Sequence, residues 1–198
     1  MPRSLARNHD SKRAAIRHAA ARVFARDGYG GASMAAVAVE AGVSKPALYH
    51  YHGGKAALLF DVLDAHLSAL RDRICGLRFD TDDPRAQLKA IVTELLLAYD
   101  GADAEHAVQM TALDALPPEQ QEALRAHQRA LVAFLRARVS AMAPHLDRAR
   151  LGAATMSVFA MANWHHRWDG RADADARRAY AAMVADIMAG GLPATEET

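Results

Sequence analysis

The chain has 198 residues and nearly balanced charge, with 24 basic against 23 acidic side chains. Its length allows one large domain or two small ones with a self-sufficient core, and a hydrophobic content of 52% excludes a mostly disordered chain. The single cysteine, Cys75, excludes an internal disulfide framework and a cysteine-based zinc site, while scarce aromatics (6%) and abundant alanine favour helix over sheet.

The first ten residues contain no apolar segment of the secretory type, and no apolar run approaches the about 18 residues that span a bilayer. The expectation is a soluble, cytoplasmic chain that makes no membrane contact and keeps its thiol reduced. Breakers then divide the sequence into helical pieces. Residues 10–26 place Ile16, Ala19, Ala20, Val23 and Phe24 on one face, and Gly28 suits the position just past the helix end. Ser33 caps a short second helix that runs to about Glu40, and Ser44 caps a third, residues 45–51, with Pro46 tolerated in its first turn. Gly53-Gly54 precedes a long fourth helix, residues 55–77.

Longer helices come next. Asp83-Pro84 opens one that ends near Asp100-Gly101; residues 104–115 stop before Pro117-Pro118, and the next helix reaches Pro144. Residues 147–168 and 172–189 complete the set, the last closed by Gly190-Gly191, with residues 193–198 expected to fray. Nine helices without a period-2 strand give an all-α fold.

The functional signal lies in residues 33–51. Two short helices joined by Ala41-Gly42-Val43-Ser44 have helix-turn-helix proportions. Gly42 supplies the backbone freedom of the turn, and Val37, Ala38, Val43 and Leu48 supply apolar contacts between the helices. A seven-residue helix is too short to stand alone, so the third helix needs its neighbours. It carries Lys45, Tyr49, His50 and Tyr51, and Lys55 opens the next helix. Ammonium and phenol groups suit phosphate oxygens, and a helix of this size fits the major groove.

Residues 16–59 resemble the TetR family of transcriptional repressors. The likeness rests on Ala20, Ala21, Phe24 and Gly28-Tyr29, then on Ala38, Ala41-Gly42-Val43-Ser44, Leu48-Tyr49, Tyr51 and Lys55, with Val37 in place of isoleucine. It implies a helix-turn-helix DNA-binding domain over 1–54 and a ligand-binding and dimerisation domain over 55–198. It places Ser33, Lys45, Tyr49, Tyr51 and Lys55 on phosphates and Ala47 and His50 at base edges of double-stranded DNA, with Ser44 also among the DNA-binding residues. Where the family has phenylalanine this chain has His52, expected to pack beneath the recognition helix as a neutral core imidazole, with a pH sensor as the sharper alternative. The family's two last helices form its dimer, and here Ala153, Ala154, Met161, Ala181, Met183, Val184, Ile187 and Met188 permit close helix approach. A homodimer matches a palindromic operator, with recognition helices about 34–36 Å apart.

The run Asn163-Trp164-His165-His166-Arg167-Trp168 holds both tryptophans. It partly resembles the ending of family members that sense acyl-CoA thioesters. Trp164 and Trp168 share a helical face, Asn163 is placed to hydrogen-bond an effector carbonyl, and Arg167 to meet a phosphate or carboxylate. Met110, Leu113, Phe134, Met156 and Phe159 complete the expected apolar lining for a small apolar or acyl-CoA-like effector. Simple core packing is the alternative for each of them. Adjacent His165 and His166 point about 100° apart on a helix and do not suit one ion, so no metal and no cofactor is expected. Cys75 reads as a small hydrophobe, with a thiol sensor as the alternative.

The resulting expectation is a ligand-released repressor. The alternatives are an α-helical enzyme with an incidental helix-turn-helix, and a DNA-binding regulator or activator without a ligand; no nucleophile elbow, phosphate loop or dinucleotide fingerprint supports the enzyme. Charge distribution points to DNA. Residues 1–55 carry nine basic and three acidic side chains, a balance of +6, and residues 56–198 carry 15 and 20, a balance of −5.

Overall fold

A computed structural model describes residues 2–169 and 173–191, with side chains from residue 9 onward other than those of His166 and Arg167. The described residues form nine α-helices and one 3-10 turn, with no strand. The helices are α1 (Pro2–Gly31), α2 (Met34–Glu40), α3 (Lys45–Tyr51), α4 (Lys55–Cys75), α5 (Pro84–Ala98), α6 (Asp103–Ala112), α7 (Pro118–Met142), α8 (Arg148–Trp168) and α9 (Ala174–Gly191).

Their ends obey local chemistry. Gly28, at φ 70° and ψ 152°, ends the regular part of α1, a conformation that costs glycine no side-chain clash. The side chains of Ser33, Ser44, Asp83 and Asp147 accept hydrogen bonds from the first free N–H groups of α2, α3, α5 and α8. Gly42, at φ 63°, turns the chain between α2 and α3, and Val43 N–H donates to Ala38 C=O at 3.0 Å.

Boundaries shift in three places. Helix α1 begins near Pro2, well before residue 10. Helix α6 stops at Ala112 and a 3-10 turn, Leu113–Ala115, takes its place. Helix α9 continues through Gly190 to Gly191, where the glycine pair was expected to close it. Residues 193–198 lie outside the described residues.

Packing gathers the helices into two compact units. The first comprises the described parts of Met1–Ser68 and Ala102–Arg125. Its core joins Ile16, Val23 and Phe24 of α1 to Val37, Leu48, Leu59 and Leu63. Helix α6 packs along α1 and adds Val108, which is why this stretch belongs with the N-terminal helices although it lies far past residue 54. The second unit comprises the described parts of Ala69–Gly101 and Ala126–Thr198. There α5 packs against α9 and α8, around Leu88, Ile91, Leu95, Leu135, Val139, Val158 and Val184. Helices α4 and α7 each contribute residues to both units. No described helix is long and apolar enough to cross a membrane.

Candidate nucleic-acid interface and apolar groove

Helix α3 fully buries one side chain and turns Lys45, Tyr49 and His50 outward. Leu48 is fully buried, whereas Lys45 and His50 are exposed and Tyr49 keeps 45% of its surface. Ala47 is half-buried, so its methyl reaches the surface beside them. Tyr51 is half-buried, with its ring 4.8 Å from His9 of α1 and 5.9 Å from His50. Ser33 and Ser44 are both exposed N-caps. Each uses its oxygen as an acceptor inside the protein, and its O–H hydrogen remains a donor for an outside oxygen.

Lys55 differs from this group. Its Nζ donates to the carbonyls of Tyr29 (2.8 Å), Ala32 (2.9 Å) and Gly30 (3.3 Å), and sits 4.6 Å from the centre of the Tyr29 ring. The three donors of the ammonium are therefore engaged within the chain, where a phosphate contact was expected.

His52 is 4% exposed at the end of α3. Its Nε2 has no hydrogen-bond partner and lies 3.8 Å from Asp61 Oδ2. Burial pushes its pKa down, against the pull of the Asp61 carboxylate, while Arg13 and Arg17 add to the downward shift. Asp61 itself accepts from the Arg13 guanidinium at 2.7 and 3.1 Å. Arg22 and Arg26 engage Glu40 of α2, and Arg26 also engages Asp27. Part of the N-terminal basic surplus thus binds α1 to its neighbours.

The residues expected to line an effector site are divided between the two units. Met110 and Leu113 belong to the first unit, Met110 49% exposed and Leu113 against the core; the other six belong to the second. Of those, Phe159 is in the core, and Phe134 stacks on Phe79 with the Arg138 guanidinium 4.0 Å from its ring centre. Asn163 Oδ1 accepts from the buried Tyr99 hydroxyl at 2.6 Å, so that oxygen serves an internal bond. Met156, Trp164 and Trp168 are 54%, 58% and 59% exposed, and Trp168 leans edge-on against His165 and Tyr180. The side chain of Arg167 lies outside the described residues.

The second unit does carry an open apolar groove of about 660 Å³ between α8 and α9. Arg150, Ala153, Ser157, Ala160 and Met161 line it from α8, and Ile187 and Met188 from α9. Ala153, Ala154, Met161, Ile187 and Met188 belong to the face the sequence offers for a dimer, whereas Ala181 and Val184 of that face lie in the core away from the groove. Arg150, Ser157 and Ala160 were not picked out, although their spacing with Ala153 and Met161 is the signal of one helical face.

Two family profiles match. Residues 16–62 match the one described as bacterial regulatory proteins, tetR family, and residues 81–192 the one described as tetracyclin repressor-like, C-terminal domain. The chain belongs to the TetR family. It is accordingly a DNA-binding transcriptional regulator, and its relatives are regulators, not enzymes. A TetR-family regulator from Bordetella parapertussis is 33% identical over 89% of this chain and 93% of its own, with a TM-score of 0.81. AibR in complex with isovaleryl coenzyme A and operator DNA shares the fold at 24% identity and a TM-score of 0.73, covering 91% of this chain and 97% of its own. The transcriptional activator FasR of Mycolicibacterium smegmatis is 37% identical over 83 residues, 42% of this chain and 38% of that protein. The matched stretch therefore spans little more than a third of FasR.

Proposed function

We propose that this TetR-family regulator binds a palindromic operator as a homodimer in the cytoplasm, and that a small apolar or acyl-CoA-like effector releases it. The observation that carries the reading is the outward face of α3, where Lys45, Tyr49 and His50 stand exposed over a helix anchored by Leu48. In this reading Ser33, Ser44, Lys45, Tyr49 and Tyr51 hold phosphates, while Ala47 meets a thymine methyl and His50 a base edge. The division of labour falls after residue 54, with effector binding and dimerisation assigned to residues 55–198.

The α8–α9 groove supports the dimer. Ile187 of α9 lines it half-exposed, and the same two helices expose Met183, Met156 and Trp164, apolar area of the kind that marks an association surface. For the effector, Phe134, Phe159, Asn163, Trp164 and Trp168, with Met110, Leu113 and Met156, remain the residues to test. The coenzyme A thioester bound by AibR, a protein of the same fold, supports that ligand class. Coupling requires only that the effector favour one of two conformations, and α4 is the continuous element that starts beside the DNA-binding helices.

The test is fluorescence anisotropy of the purified protein on the DNA upstream of its own gene, with and without acyl-CoA thioesters and the free acids. Specific binding lost in Tyr49→Ala and weakened by one thioester supports the reading. Absence of binding at about 0.15 M salt refutes that operator. The likeness to FasR favours a second outcome, activation, in which the effector strengthens or leaves unchanged the hold on DNA while transcription rises.

A further inference from the structure

We infer that Lys55 is a positioning residue that clamps the corner between α1 and α2, and that it is not a phosphate donor. The inference rests on the DNA-binding reading above and refines it. Lys55 is the first residue of α4, whose first turn carries no acidic side chain. A cation there opposes the helix dipole, so α4 itself does not account for it. The compensation comes from α1. The chain leaves the regular helix at Gly28, and the carbonyls of Tyr29, Gly30 and Ala32 converge on Nζ at 2.8, 3.3 and 2.9 Å.

Three carbonyls facing three N–H groups is a complete match for an ammonium. The Tyr29 ring adds a face 4.6 Å from Nζ and rests edge-on against Phe24, 5.6 Å away, in the core of the first unit. Ala32 is 5% exposed, and the next residue, Ser33, caps α2. Lys55 thereby fixes the last carbonyl before that cap, and α2 in turn packs Val37 and Ala38 into the core that receives Leu48. A swing of Nζ toward a phosphate would leave three carbonyls unpaired, two of them in partly buried hydrogen bonds. Arginine does not substitute, because its planar fork cannot direct three donors at one converging set of carbonyls.

The experiment compares wild type, Lys55→Met, Lys55→Arg and Lys45→Met. Binding to generic duplex DNA is measured across a salt series, and amide exchange across Ala32–Val37 is measured in the free protein. Operator preference over generic DNA is determined as well. Lys45→Met is expected to flatten the salt slope by about 0.9, as loss of a phosphate contact requires, and Lys55→Met to leave it unchanged. Both Lys55 variants are expected to exchange Ala32–Val37 amides about tenfold faster. Both are also expected to lose about tenfold in operator preference.

A slope reduced by about 0.9 in Lys55→Met overturns the inference. So does unchanged amide exchange in that variant, whatever the slope, and so does a Lys55→Arg variant with wild-type exchange and affinity. The generic-DNA and exchange arms need no operator. Failure to find one would count against the palindromic reading and leave the clamp to be decided by the other two measurements.

Discussion

In the first unit, α2 and α3 have seven residues each, and α3 buries only Leu48. In the second, α5 alone buries Leu88, Ile91, Val92, Leu95 and Leu96, and α8 and α9 pack against it. The short helices compensate with directed polar contacts: two serine caps, the Lys55 carbonyl set, the Arg13–Asp61 fork, and His18 Nδ1 at 2.6 Å from the buried Glu105. The second unit relies on aliphatic contact area and leaves one apolar face uncovered. A recognition helix must present its polar side to a ligand as large as DNA, so little of it remains for burial. An association surface, as proposed for α8 and α9, must instead keep apolar area in reserve.

Breaking the reserve gives the largest effect. Ile187 is 52% exposed and lines the α8–α9 groove. Ile187→Glu is expected to leave the helical circular dichroism intact and to convert dimer to monomer in sedimentation velocity. Operator affinity is expected to fall by about 100-fold or more, because a single helix-turn-helix makes too few contacts. A variant that sediments as a dimer moves the interface away from this groove.

Next comes the contrast between two buried leucines. Leu48 and Leu95 are each fully buried, one in each unit. Each change to alanine is expected to cost about 2–5 kcal/mol. The distribution separates them. Leu48→Ala releases α3 first, so amide exchange accelerates over residues 45–51 and DNA binding is lost at temperatures where the fold persists; Leu95→Ala lowers the global urea midpoint. Equal, global effects from both would mean that α3 is no less cooperative than α5.

A third change probes a buried charge in the second unit. Arg177 is 2% exposed and donates from Nη1 to the Leu96 carbonyl at 3.0 Å. Arg177→Met keeps most of the packing volume and orphans that carbonyl, an expected loss of about 1–3 kcal/mol in urea unfolding with generic DNA affinity unchanged. Ser44→Ala, which removes a cap seen only at the surface, is expected to cost about 1 kcal/mol.

These contrasts explain what was legible beforehand. The ends of α2 and α3 depend on Ser33, Gly42 and Ser44 acting on neighbours three or four residues away, so a sequence window contains the cause. The same locality fixed which of Lys45, Tyr49 and His50 would face outward. The carbonyl partners of Lys55 were not legible, because they lie 23 to 26 residues upstream, at a helix end whose carbonyls no local pattern reports. Exposure along α8 is hard to read from sequence for a related reason. On α8, Phe159 and Trp164 are apolar alike, and only the positions of α5 and α9 decide that one is buried and the other exposed. Helix α1 outran its expected start because the polar stretch before residue 10 contains no breaker after Pro2.

The smallest effect tests whether the first unit's polar contacts include one that titrates. His52 is buried with Nε2 unpaired, facing Asp61, with Arg13 and Arg17 nearby, and its folded pKa is held below the ordinary value of about 6.5. The neutral imidazole is therefore the form the fold prefers. Above the ordinary value both folded and unfolded chains hold it neutral, and its contribution is constant. As the pH falls below that value the unfolded chain takes up the proton first, and stability declines until the folded value is passed. Wild type is thus expected to lose more of its urea midpoint between about pH 7.5 and 5.5 than His52→Phe, which has nothing to titrate there. His66, also held low by burial, contributes a slope of the same sign in both proteins and cancels in the comparison. Parallel pH profiles for the two proteins would show that Asp61 offsets the desolvation of His52.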